Sequence, residues 1–360
     1  MHSALSRLAA ISAILLLVGA GCSVGGAKKQ TTEGPAGIFV STDKAENWQP
    51  LSTLPEPDGV KTLDNVSIFR LIEDPQDPKA LYWASRSHGL YFSYDDGKFW
   101  QHAGGPLATG FVHAVAVSPV DKCTVYATNG VVIYKTTDCS RNYTEIYRDP
   151  SGTRITSLIV NPFGKHEVFV SKVNGDILMS ENEGKSWSVK RRSGATVQSL
   201  QFDRVIPNVI YAATQDAGML RSDDLGATWI SINKSLKQFS GGLKYRRLVI
   251  HPTKGGTLYW ISQYGILQSF DRGENFKPLE IDSQPGSVDI YALAINPKND
   301  KEMYYTATAA GRSALYKTVD GGASWSTQKL PTGQLPTILR VHPENDSVIY
   351  LGFTIPPSSK

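Results

Sequence analysis

The sequence predicts an all-β fold, a single seven-bladed β-propeller with four-stranded antiparallel blades. Three observations carry that expectation. An eight-residue turn motif recurs seven times, each copy sits inside a longer unit of short apolar runs, and the two chain ends hold complementary halves of one unit. The motif reads STDKAENW from Ser41, SYDDGKFW from Ser93, TTDCSRNY from Thr136, SENEGKSW from Ser180, SDDLGATW from Ser222, SFDRGENF from Ser269 and TVDGGASW from Thr318. Its intervals run from 42 to 52 residues, room for about four short strands and their turns, which is one propeller blade.

Each motif position has a physical reason. The opening Ser or Thr hydroxyl bonds nearby backbone, and the acceptor two residues on (Asp43, Asp95, Asp138, Asn182, Asp224, Asp271 or Asp320) takes backbone N–H bonds. The Gly position needs a positive φ; Ala45 and Ser140 occupy it in two copies. The final aromatic residue starts the next strand and covers the turn. This pattern resembles the Asp-box, or BNR, repeat of sialidase-like and sortilin-like propellers, over roughly residues 37 to 352. The resemblance and the turn chemistry together give these acceptors a structural role at corners, not a catalytic one.

Around each motif the unit repeats. LAINP from Leu293, MYYTAT from Met303 and ALYKT from Ala314 precede the last copy, and LVIHP, TLYWIS and GILQS precede the one before. Short apolar runs bounded by Pro, Asn and Gly read as strands, so a unit is an inner strand ending in a Pro turn, two further strands, the motif turn and an outer strand. The C-terminus supplies ILRVHP from Ile338 and SVIYLGF from Ser347, the first two strands of a unit. The N-terminus supplies GIFVS from Gly37 and the first motif, the last two. Joining them gives the seventh blade and leaves no open sheet edge.

The 360 residues are 41% hydrophobic with 32 Gly and 20 Pro, enough apolar material for a large core and too many turn formers for a helical bundle. A net charge of +4 carries no nucleic-acid signature, and a monomer is expected. Residues 1–21 read as an export signal: Arg7, an apolar stretch from Leu8 to Val18, then small residues before Cys22. Cys after Ala-Gly resembles the bacterial lipobox, with Gly19 where that motif usually has Leu. The resemblance implies acylation of Cys22, anchorage in a lipid bilayer and an extracytoplasmic, cell-envelope location. Residues 22–36 then form a tether, 37–355 the propeller and 356–360 a tail. Cys123 and Cys139, in an exported chain and near the open end of one hairpin, are expected to form a disulfide.

Candidate ligand-binding positions come from aligning the inner strands on their terminal Pro, or on Arg204 in its place. The residues six before it are Phe69, His113, Thr156, Gln198, Arg246, Tyr291 and Thr337, expected to ring one mouth of the channel. Arg70 and Arg247 follow two of them. Tyr245, Lys190, Arg191, Arg192, Lys234, Lys237 and Lys244 are placed on the connections before the inner strands. Mixed arginine and aromatic character suits a protein or glycan contact face. No spacing of His, Cys or Asp implies a metal, no cofactor is called for, and His113 and His251 are read as lone histidines.

The expected function is therefore non-catalytic binding at the channel face. Overall the chain resembles single-propeller photosystem II assembly factors and the sortilin N-terminal domain, whose roles imply chaperone-like or receptor-like binding. The alternative is a glycoside hydrolase at the same face. Phe69-Arg70-Leu71-Ile72 is similar to the Phe-Arg-Ile-Pro signature of sialidases but lacks the Pro, and Asp64, Asp216, Asp289, Arg70, Arg247 and Tyr291 are the residues such a site would draw on. Xyloglucanase-type hydrolases also carry Asp boxes, on two propellers with the carboxylates between them.

Overall fold

The computed structural model describes residues 33–164 and 166–356. The expected leader, Cys22, the tether up to residue 32 and tail residues 357–360 lie outside the described residues. Seven four-stranded antiparallel sheets are present, together with one two-stranded hairpin. Blades 1 to 6 span residues 68–102, 114–148, 155–192, 197–231, 245–278 and 289–328. Their inner strands are Ile68–Glu73, Ala114–Val117, Ile155–Val160, Val197–Phe202, Tyr245–Ile250 and Asp289–Ile295. Blade 7 joins the ends as expected. Leu335–Val341 and Ile349–Thr354 supply its inner half, and Ile349–Thr354 pairs in turn with Gly37–Ser41. Phe39 lies opposite Leu351 and Gly37 opposite Phe353.

The apolar clusters confirm a closed ring, because there is one for each blade-to-blade contact. Trp83 and Leu81 of blade 1 pack with Ile38 and Tyr350 of blade 7; Phe39 and Leu351 of blade 7 pack with Tyr304 and Leu315 of blade 6. Five further clusters fill the remaining interfaces. Each second strand is covered by a neighbouring blade on both faces. Leu81–Ser85, Ile210–Thr214, Leu258–Ser262 and Ile349–Thr354 are buried at every position, which is why they read as continuous apolar runs.

All seven motif turns are built alike, and their acceptors do pin corners. In the copy from Ser269, the Ser269 hydroxyl donates to Asp271 Oδ1 at 2.8 Å, Asn275 N donates to the same oxygen at 2.9 Å, and Gly273 N donates to the Ser269 hydroxyl at 2.9 Å. Asp43, Asp95, Asp138, Asn182, Asp224 and Asp320 each accept the corresponding pair of bonds. The turn needs two successive left-handed residues, as at Arg272 (φ 61°) and Gly273 (φ 84°); the first carries a side chain in most copies, and the second does so only as Ala45 (φ 74°) and Ser140 (φ 66°). At the second, a Cβ on Gly273 would stand 2.5 Å from Ile232 Cδ1. Gly273→Ala should destabilise the fold by about 1–3 kcal/mol, measured by urea unfolding; a loss under a few tenths would show that the turn relaxes freely.

These bonds favour the ionised carboxylate. Backbone and side-chain donation from Asn47 and Ser41 lowers the Asp43 pKa to about 2, and donation from Thr136 and Asn142 does the same for Asp138. A carboxyl with a depressed native pKa stabilises above its unfolded value near 4 and loses that contribution as pH falls through the native value. Stability should therefore be flat in pH from these groups above about pH 4 and decline between about pH 4 and 2. Urea midpoints that stay level over that window would contradict it.

The inner-strand turns share an acceptor just before the Pro, or before Arg204, the slot that His251 fills in blade 5. Asp74, Asn161, Asp203 and Asn296 each accept a backbone N–H two residues on. His251 and His342 do the same job with Nδ1, accepting from Thr253 and Lys254, and from Glu344 and Asn345. His251 is thus a turn acceptor.

The structure joins Cys123 to Cys139 within blade 2. Cys123 lies just before the second strand of that blade (Val125–Thr128), and Cys139 lies in the motif turn whose Gly position is Ser140. Two features fall outside the sequence reading. A hairpin, Thr53–Glu56 with Gly59–Thr62, fills the longest interval, between blades 7 and 1. Short 3-10 turns at Gly105–Leu107 and Leu236–Gln238 occupy two connections.

Candidate functional site

Antiparallel order puts the connections into each inner strand, and the hairpin loops between second and third strands, on one face of the ring. The Pro turns and the motif turns lie on the other. The first face carries the candidate site.

In six of the seven inner strands the position chosen by alignment is a β-bulge. The register shifts at Phe69, Thr156, Gln198, Arg246, Tyr291 and Thr337. A bulge adds an unpaired residue, bends the strand and re-aims the side chain, so a repeated bulge makes a ring of variable side chains at the channel mouth. His113 corresponds in blade 2, where it precedes the strand and its N–H donates to Thr128 O at 2.8 Å.

The ring is chemically uneven. Between blades 1 and 2, Phe69 meets Phe111 edge-on at 4.7 Å, and Phe111 stacks on His113 at 3.9 Å. Arg70 and Arg86 lie over the Phe69 ring at 4.9 and 5.0 Å. Burial, with Arg154, Arg70 and Arg86 nearby, pushes the His113 pKa down to about 4, so the ring is neutral near pH 7. Arg86 and Phe111 were missed from sequence because they sit on the loop at 86–89 and on the connection before His113, where no strand register aligns them.

On the opposite arc, Arg246 pairs with Asp289 at 2.6 Å. Tyr291 lies close enough that Asp289 reinforces the rise that burial causes in its pKa. Tyr245 packs on Trp260 at 5.3 Å, and Gln198 bonds Gln215 at 3.0 Å. Arg70 Nε donates to His113 O at 3.0 Å, and Arg247 Nη2 reaches across to Thr337 O at 3.0 Å.

Other expectations need correction. Thr156 is buried and spans a blade interface, donating to Val197 O, so it offers no contact surface. Thr337 is engaged with Thr354 at 2.9 Å. Lys190, Arg191 and Arg192 lie on the outer strand of blade 3 (Ser188–Arg192), just before the connection, and Lys190 and Arg192 face Glu181 and Asp176. Lys234, Lys237 and Lys244 do lie on the connection before blade 5.

The three carboxylates offered for hydrolysis come from different parts of the ring. Asp64 precedes blade 1, Asp216 lies on the hairpin loop of blade 4, and Asp289 begins blade 6 with Arg246 against it. Among the described residues, blade 7 intervenes between Asp64 and Asp289, and blade 5 between Asp216 and Asp289.

No protein-family model matches the chain. A xyloglucanase of Hypocrea jecorina is 28% identical over 160 residues, 42% of this chain and 18% of that protein. A vacuolar protein sorting/targeting protein 10 of Schizosaccharomyces japonicus is 31% identical over 78 residues, 21% of this chain and 5% of that one. The chain thus spans less than a fifth of either relative. Among solved structures, the GH74 xyloglucanase of Xanthomonas campestris superposes with a TM-score of 0.65 at 14% identity, over 81% of this chain and 51% of that one. YCF48 bound to D1 peptide superposes with a TM-score of 0.62 at 16% identity, over 82% of this chain and 94% of that one. What these likenesses establish is the fold: one seven-bladed propeller, half a xyloglucanase in extent and nearly the whole of a YCF48.

Proposed function

We propose that the protein is a non-catalytic scaffold that holds a protein partner or glycan on its channel mouth. The observation that carries this reading is the cluster of Phe69, Phe111, His113, Arg70 and Arg86 between blades 1 and 2. Partly buried aromatic rings under guanidinium groups are the residue types that dominate binding hot spots. YCF48 bound to D1 peptide shares the single-propeller extent. The second reading, a glycoside hydrolase, is favoured by the sequence likeness to xyloglucanases.

The test is affinity capture from envelope extract with the intact protein, with Phe111→Ala/Arg86→Ala, and with Asp271→Ala on the opposite face. Partners should be retained by the intact protein and by Asp271→Ala, and retained at least about tenfold less by the double variant, the weight of a hot-spot pair. Equal retention by all three overturns the reading. Turnover of xyloglucan oligosaccharides that disappears in Asp289→Ala favours the hydrolase instead.

The reading includes acylation at Cys22 and an envelope location. Residues 33–36 enter the fold on the mouth face: Gly333 N donates to Glu33 O at 3.0 Å, and Ala36 N to Asp64 O at 2.6 Å. The ten residues between Cys22 and Glu33, eleven Cα steps, reach at most about 40 Å when extended. An anchor there would keep the mouth face close to the bilayer. Mass spectrometry of the mature N-terminus should find a diacylated or triacylated Cys22; a different first residue overturns this part.

A further inference from the structure

We propose that the neck of the central channel is a binding site for a single oxyanion, held by Arg70 and Arg247. The proposal shares Arg70 with the partner-binding cluster but concerns a small anion on the channel wall, and Arg247 lies outside that cluster, so loss of anion binding in Arg247→Gln tests it separately. Both arginines occupy the position just after the bulge of their inner strands, in blades 1 and 5. The corresponding residues elsewhere are Ala114, Ser157, Ser199, Ala292 and Ile338, which bring no charge.

Each guanidinium is held in place by a backbone carbonyl, Arg70 by His113 and Arg247 by Thr337, and neither has a carboxylate partner among the described residues. Arg247 Nε is buried with no hydrogen-bond partner. The two cations and Arg340 also repel one another. Burial, with Arg70 and Arg340 adding to it, draws the Arg247 pKa down to about 10, and burial with Arg340 lowers that of Arg70. The contrast lies deeper in the channel. There Glu73 faces Arg340 at 3.8 Å and also offsets Arg204. The lower cations have an acid among them, and the two near the mouth have none.

Enclosed charges are paired or bind a counter-charge, since an unpartnered one keeps its desolvation penalty. Guanidinium donors fixed by backbone acceptors, with further N–H groups free, suit a carboxylate or phosphate.

Isothermal titration and thermal melts with inorganic phosphate and with acetate, at constant ionic strength in chloride, test the site. One saturable anion per chain is expected, and the two probes separate a tetrahedral from a planar preference. Arg70→Gln and Arg247→Gln should each weaken binding at least about tenfold, the weight of one charge-assisted hydrogen bond. Arg272→Gln, at the periphery, should leave it unchanged. In chloride alone, Arg247→Gln should melt no lower than the wild type, since it removes a repelled cation, and this guards against misfolding as the cause. No saturable binding of either anion, or binding that survives both substitutions, overturns the proposal.

Discussion

Removing residues 347–360 should leave a protein that aggregates or is rapidly digested. The deleted segment contains Ile349–Thr354, buried at all six positions. It is hydrogen-bonded on one side to Gly37–Ser41 and on the other to Leu335–Val341. Tyr350 belongs to the apolar cluster between blades 7 and 1, and Ile349, Leu351 and Phe353 to that between blades 6 and 7. Fully burying such side chains is worth roughly 1.5–3 kcal/mol each, so these four supply about 6–12 kcal/mol. A domain's net stability is about 5–15 kcal/mol, so little or none would remain. The truncation would also expose two strand edges, templates for intermolecular pairing. Light scattering and thermal melting decide the matter. A monomeric truncation that melts within a few degrees of the full chain would show that the blades stand without closure.

That expectation was reachable from sequence, because propeller closure follows from which strands are missing at each end. Repetition made the motif turns legible too: seven copies show which positions the turn chemistry demands. The Pro register located the mouth ring, and the bulge explains why. An extra residue lies at the same distance from each turn, so alignment on Pro finds it without knowing that it is a bulge. What stayed hidden depends on loops and on contacts between blades. Arg86 and Phe111 sit on segments of differing length, and only the fold brings them onto Phe69. Thr156 has the right register but a blade interface around it, which a single strand's sequence does not encode. The basic run at Lys190–Arg192 looked like a connection because charged residues are common there; it forms instead the solvent-facing outer strand of blade 3.

Asp149→Ala should be among the most destabilising single changes in the chain, about 3–5 kcal/mol, because it leaves a buried lysine without its counter-charge. Asp149 is wholly buried, and Lys172 is 8% exposed. Their ion pair is 2.8 Å long, and Asp176, at 3.6 Å, is too far to replace it with a hydrogen bond. The same carboxylate accepts from Ser151 N, Ser151 Oγ, Thr153 N and Tyr147 Oη. Burial alone would raise its pKa, but Lys172 and the Ser151 and Thr153 donors outweigh burial and hold it well below the usual carboxylate range. Its contribution is therefore complete above the unfolded value near pH 4 and lost as pH falls below it. Lys172→Met in the Asp149→Ala background removes the stranded charge and should recover part of the loss. Recovery should stay incomplete, since the Ser151 and Thr153 N–H groups still lack an acceptor. Those residues form the connection leading to Arg154, which helps keep His113 neutral, so the same substitution should loosen the mouth. Urea unfolding of the four members of this cycle at pH 7 measures the coupling. Single-variant losses below about 1 kcal/mol, or a double variant no better than Asp149→Ala, would mean that water already solvates the pair.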